Sequence, residues 1–166
     1  LYTSIEEADN IIVQQVVSIA ANPDARVVAL ADDTDVFVLL LYFYGQSSLQ
    51  SAVYMESPVY NRSCVDIKAT YLKHIEIVSD LPAIHALSGC DSVAATFGIG
   101  KTTALTVASK GYKLDLLGNR TANVSEVMKQ ATAYMAACYG VKSCSSMTHC
   151  RQLVWAQRTD RKSTRL

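Results

Sequence analysis

The sequence predicts an α/β fold with a parallel sheet, and three observations predict it. Val27 to Ala31 is a short, continuous apolar run of strand type, the kind that suits a parallel sheet buried on both faces. Helix-period stretches flank it, residues 5–21 before and about 35–44 after. Between strand and second helix stand Asp32, Asp33 and Asp35, three carboxylates within four residues. Acids do not belong inside a buried segment unless something offsets their cost. The connection after a buried strand is where open α/β sheets collect their ligands.

The composition supports one domain or a large piece of one, with 166 residues and 50% hydrophobic content. The formal net charge is zero, from 15 basic and 15 acidic residues, so a nucleic-acid partner needs a local patch rather than a global field. Five cysteines at scattered spacing, Cys64, Cys90, Cys138, Cys144 and Cys150, argue against a disulfide framework. Cys144, His149 and Cys150 are weighed as zinc ligands, but no Cys-x-x-Cys pair accompanies them, and thiols in a reducing compartment are the expected reading. Residues 1–20 contain acids and no basic leader, so no signal peptide is read and an intracellular location is expected. Val36 to Tyr44 is too short to span a bilayer, and no membrane partner is expected. The chain starts without Met and ends on a basic stretch from Arg158 to Leu166, and is expected to be part of a longer protein.

Taken in order, Ser4 caps the first helix, with Glu7 at the third position of a capping box. Ala8, Ile12, Val16 and Ile19 form its apolar stripe. Glu7 and Asp9 in its first turn either answer the helix dipole or look across at the acids near Asp33. Asn22-Pro23-Asp24 is a turn. Asp33 by itself reads as an N-cap; three neighbouring acids call for more, a divalent cation or raised pKa values. Ser51 to Met55 is the next strand, and Asp66 caps a helix reaching about Ile75. Leu81-Pro82 opens a short helix containing His85, expected as a half-buried, satisfied histidine. Asp91 follows in the turn Gly89-Cys90-Asp91-Ser92.

Gly98-Ile99-Gly100-Lys101-Thr102 then leads into a helix over residues 102–110. Glycines two apart before a helix present backbone N–H groups that can cradle a phosphate. The bland alternative is a packing joint between helices. A P-loop would need Gly at position 95, which is Ala, and a strand leading in. Ser125 is read as the cap of a helix through Cys138, with Val124, Val127, Met128 and Ala131 on its apolar side and the methionines as core filling. The remainder is weakly patterned and ends in a solvated basic tail.

The order of these motifs resembles the 5′-nuclease (flap endonuclease-like) branch of the PIN-like superfamily. It resembles most a poorly characterised metazoan group associated with mobile elements. The segment Glu7-Ala8-Asp9 matches the family's paired acids at a helix start. Asp33 and Asp35 match its Asp-x-Asp, and Asp91 the Asp of its Gly-x-Asp turn. Gly98, Ile99, Gly100 and Lys101 match its helix–two-turn–helix. The resemblance covers roughly residues 5–110 and implies a three-layer PIN-like parallel sheet. It implies an α/β core over residues 1–92, a helical region over 93–155 and a basic tail over 156–166.

It further implies a phosphodiesterase acting on DNA or other structured nucleic acid with Mg²⁺ or Mn²⁺, typically as a metal pair. Glu7, Asp9, Asp33, Asp35 and Asp91 would be the metal ligands, the last three catalytic. Gly98, Gly100, Lys101 and Thr102 would hold the nucleic-acid backbone with the help of K⁺. The nucleus follows from that substrate as the expected compartment. Full members carry an upstream strand and helical arch, so the resemblance also implies an N-terminal truncation and leaves open whether the fragment is active by itself. The competing readings are a non-catalytic nucleic-acid or protein binding module on the same fold, and a P-loop-like nucleotide hydrolase.

Overall fold

Capping chemistry and apolar spacing set the elements of the first half of the chain. The computed structural model describes residues 8–59 and 61–163. The chain divides into two compact units, Leu1–Pro82 and Ala83–Leu166.

In the first unit, α1 (Ala8–Ala20) leads through the turn after Asn22 into β1 (Arg26–Leu30), then α2 (Thr34–Gln46) and β2 (Ala52–Glu56). The two-residue β3 (Val65–Asp66), α3 (Ile67–Lys73) and α4 (Ile75–Val78) follow. Asp33 is the N-cap of α2, in extended conformation, and its carboxylate accepts the Asp35 N–H at 2.7 Å. Asp66 caps α3 in the same way, accepting from the Ala69 N–H at 2.8 Å.

The sheet order is β1-β2-β3. β1 and β2 run parallel, with Val27 opposite Val53 and Ala29 opposite Met55. β3 pairs antiparallel with β2, so the sheet is mixed. Val27, Ala29, Val53 and Met55 point into one core with Val13, Val16 and Ala20 of α1, Val36, Leu40, Leu41 and Tyr44 of α2, and Ile67 of α3. The other face of β1 is open. Val28 is 51% and Leu30 69% exposed, and Arg26 lies over the Tyr54 ring there at 6.0 Å. The continuous apolar run of β1 leads one to expect burial on both faces; the observed alternation reflects α1, α2 and α3 packed, among the described residues of this unit, against the face of Val27 and Ala29.

The buried stripe of α1 is Val13, Val16 and Ala20, while Ile19 is exposed. The stripe read from sequence as Ala8, Ile12, Val16 and Ile19 is therefore rotated. The apolar residues of α1 occupy more than one face, and contact with α2 and β1 selects which face is buried. Tyr44 closes the far end, its hydroxyl donating to the Ser51 carbonyl at 2.9 Å, and burial pushes its pKa above the ordinary value. The backbone of α2 passes so near α3 that a Cβ on Gly45 would lie 2.5 Å from the Tyr71 ring.

α5 (Leu81–Ser88) crosses the boundary between the units. The second unit continues with α6 (Lys101–Ala108), α7 (Val124–Cys138) and α8 (Met147–Ser163). Tyr134 of α7 is buried and donates to the Ala104 carbonyl of α6 at 2.9 Å. Ala136, Val141 and the buried Cys150 join α7 to α8.

Asn123, not Ser125, caps α7, accepting from the Ser125 N–H at 2.9 Å. Both are good capping residues, and the local pattern does not choose between them. Only the second half of α7 is packed: Tyr134, Met135, Ala136 and Cys138 are buried, whereas Val124 and Met128 are exposed, against their reading as core. The helix α8 runs through most of the basic segment to Ser163, where the sequence reading has an unpatterned tail. No helix among the described residues is long and apolar enough to cross a membrane.

All five cysteines are free thiols. Burial raises the Cys138 and Cys150 thiols above the ordinary value, and Cys144 beside Cys150 adds to the rise there. The thiolate is the reactive form. Titration of the native protein with a disulfide reagent at neutral pH is expected to label exposed Cys64 first. Cys138 and Cys150 should react only after a denaturant is added. Their labelling at the rate of Cys64, read by peptide mapping, would contradict this packing.

Candidate metal centre

Two helix N-termini meet beyond the C-terminal end of β1. Asp9 lies in the first turn of α1, Asp33 caps α2, and Asp35 lies in the first turn of α2. One carboxylate oxygen from each falls within 4.8 Å of the others. Asp9 and Asp35 are half-buried and Asp33 is exposed. This is the one such group of three or more His, Cys, Asp or Glu among the described residues.

Local structure explains how three like charges come to share one place. The positive ends of two helix dipoles face the carboxylates, each a stabilisation of about 0.3–1 kcal/mol. The capping bond leaves Asp33 with a second oxygen able to bind a cation while it holds the side chain over the helix. Oxygens on opposite sides of a cation bound at about 2.1–2.4 Å lie about 4–5 Å apart. The observed separation is therefore compatible with a common ion. Three carboxylate oxygens form a hard donor set, suited to Mg²⁺, Mn²⁺ or Ca²⁺ and unsuited to a soft metal.

The structure thus brings together Asp9, Asp33 and Asp35 from two segments 24 residues apart in sequence. Glu7 lies outside the described residues. Asp91 belongs to the second unit, exposed in a tight turn closed by the Cys90 N–H on the Val93 carbonyl at 2.9 Å and the reciprocal bond at 3.1 Å. The three-aspartate group is made by the first unit alone.

The residues read as a backbone clamp have other work in view. Gly98 has φ +77, a conformation that favours glycine, and Gly100 is the N-cap of α6 without a side-chain cap. Thr102 is exposed in the first turn of α6. Lys101 turns back on α5. Its ammonium donates to the His85 carbonyl at 2.9 Å, to Ser88 Oγ at 3.0 Å and to the Gly89 carbonyl. A phosphate contact by Lys101 would require it to leave these acceptors. Among the described residues, α5 and a tight turn stand upstream of the glycines, with no strand of the P-loop kind.

Cys144, His149 and Cys150 form no three-ligand group; His149 Nδ1 lies 3.2 Å from Ser145 Oγ. His85 is half-buried.

The loop that follows β2 holds a residue that no sequence motif singles out. The structure places Arg62 of that loop against Asp32, with both carboxylate oxygens on Nη1. The available signal was position: this loop follows the strand adjacent to β1, whose C-terminal end opens on the same side.

Compared with family models, curated proteins and solved structures, the chain matches none of them.

Proposed function

We propose that the first unit binds a divalent cation, Mg²⁺ or Mn²⁺, on Asp9, Asp33 and Asp35, and that the site hydrolyses phosphodiesters of structured nucleic acid. The observation that carries the proposal is the convergence of three carboxylate oxygens within 4.8 Å at the C-terminal end of a parallel strand. A divalent ion there would supply Lewis acidity toward a phosphoryl oxygen and toward water. The chain's own contribution is placement. The N-cap bond orients Asp33, α1 and α2 fix Asp9 and Asp35, and the core beneath keeps these helices in register.

Glu7 and Asp91 are proposed as further ligands on the strength of the resemblance to flap endonuclease-like proteins. Gly98, Gly100 and Thr102 at the start of α6 are proposed as backbone contacts to a phosphate, with K⁺ as their cation.

The test is incubation of the full chain with a 5′-flap DNA and a nicked duplex in Mg²⁺ or Mn²⁺. Cleavage is expected. Asp33→Asn and Asp35→Asn are each expected to slow it by at least about a hundredfold, beyond the 10–100-fold typical of residues that only orient ligands. No cleavage by the wild-type chain, or cleavage untouched by both substitutions, would overturn the hydrolytic reading.

A further inference from the structure

Beside the three aspartates lies an open cavity of about 270 Å³, with Asp33, Thr34, Ser57, Ser63 and Arg62 in its wall and Phe37 in its lining. It shares Asp33 with the metal centre. Acids and hydroxyls alone would make a poor seat for a polyanion. Among the described residues of this wall the cation is Arg62, and its side chain is 58% exposed.

The way Arg62 is held matters. It meets Asp32 side-on, through Nη1 to both oxygens, rather than by the two parallel bonds that guanidinium and carboxylate favour. Nη2 and Nε take no part in this pair. A phosphate presents the same oxygen geometry as a carboxylate and can take the forked pair. An exposed ion pair such as Arg62–Asp32 is weak, so exchange of its carboxylate for a phosphate meets little resistance. Asp32, the one acid of the turn outside the three-aspartate group, thereby has a role: it occupies Arg62 until an anion displaces it.

We infer that Arg62 is the phosphate-recognising residue of this site and that Asp32 is its internal competitor. The inference rests on the reading of Asp9, Asp33 and Asp35 as a phosphodiesterase centre. It commits to a phosphate of a nucleic-acid chain rather than a free phosphate or mononucleotide.

The experiment is binding of a fluorescent 5′-flap oligonucleotide to the full chain, once in Ca²⁺ and once in EDTA, across a range of salt. Arg62→Ala is expected to weaken binding about 10–100-fold, the factor for losing hydrogen bonds to a charged group. It should also lower the slope of log K against log salt by about one unit. Arg62→Lys should recover only part of the loss, since it keeps charge without the fork. Asp32→Asn should bind about two- to fivefold tighter, the factor for releasing an exposed ion pair. The opposite signs separate recognition from a merely structural pair, in which both substitutions would weaken binding together.

Where Arg62→Ala lowers the melting temperature, Arg62→Gln carries the same expectation. Competition by inorganic phosphate or a mononucleotide at concentrations near the oligonucleotide's own Kd would overturn the nucleic-acid assignment. Three results would overturn the inference itself: Arg62→Ala within twofold of wild type, Asp32→Asn weakening binding, or no binding by the wild-type chain. Melting in Mn²⁺ reads the metal centre separately. A lost metal response beside an intact Arg62 effect in EDTA condemns that centre alone, and the reverse condemns Arg62 alone.

Discussion

Mn²⁺ or Mg²⁺ is expected to raise the melting temperature of the wild-type chain, and Asp33→Asn is expected to remove most of that rise. A ligand present at about a hundred times its Kd stabilises the native state by about 2.7 kcal/mol. For a chain of this size that amounts to about 5–10 °C. The choice of Asn is deliberate. Asn is as good an N-cap as Asp, so the bond to the Asp35 N–H at 2.7 Å can be kept while the charge is lost. Asp33→Ala would confound the two, because losing the cap itself costs about 1 kcal/mol.

The sign in the absence of metal is a second check. Removing one of three neighbouring like charges relieves repulsion, so metal-free Asp33→Asn should melt no earlier than wild type. Asp35→Asn should behave alike toward metal, less a few tenths of a kcal/mol for the lost dipole interaction. Calorimetry with EDTA and with each ion measures all of this. A metal response preserved in both variants would remove Asp33 and Asp35 from the site.

The second large effect is structural. Lys101→Met is expected to destabilise the second unit by about 2–4 kcal/mol, since hydrogen bonds to charged groups contribute about 1.5–3 kcal/mol each and are not additive. An ammonium has three donors. Here they meet the His85 carbonyl, Ser88 Oγ and the Gly89 carbonyl, at the C-terminal, negative end of α5. Gly89 is itself constrained, with φ +103 and no room for a Cβ, which would sit 2.4 Å from Ala95 Cα. Arg at position 101 should not rescue, because a planar fork cannot reach three acceptors arranged about a single point. Denaturant unfolding, with hydrogen exchange over residues 81–108, gives the measurement. A loss below about 0.5 kcal/mol, accompanied by weaker oligonucleotide binding, would instead return Lys101 to a phosphate contact.

How far such features are legible in the chain itself depends on the range of the interaction. Asp33 and Asp66 are recognisable as caps because a cap joins a side chain to an N–H two or three residues on, and the following apolar residues mark the helix. The strand, the acidic turn and α2 were legible for the same reason. The phase of α1 was not, since more than one of its faces carries apolar residues and the neighbour decides which is buried. The exposure of Val124 and Met128 likewise follows from where packing on α7 stops, which periodicity does not encode. The sequence context of Lys101, glycines before a helix, is shared by phosphate clamps and by packing joints, and the turn of its ammonium toward α5 is visible only in the folded chain.

Residues 26–46 carry their strand, turn and helix in local order, through apolar run, capping carboxylate and helix-forming stretch. That much belongs to the amino-acid sequence. The meeting of Asp9 with Asp33 and Asp35, the side-on hold of Asp32 on Arg62, and the return of Lys101 to α5 belong to the folded chain. Each joins groups 13 or more residues apart or fixes a direction in space. Such partners are chosen when helices and strands bury their apolar faces together, and no periodicity or cap specifies which side chains that burial sets beside one another.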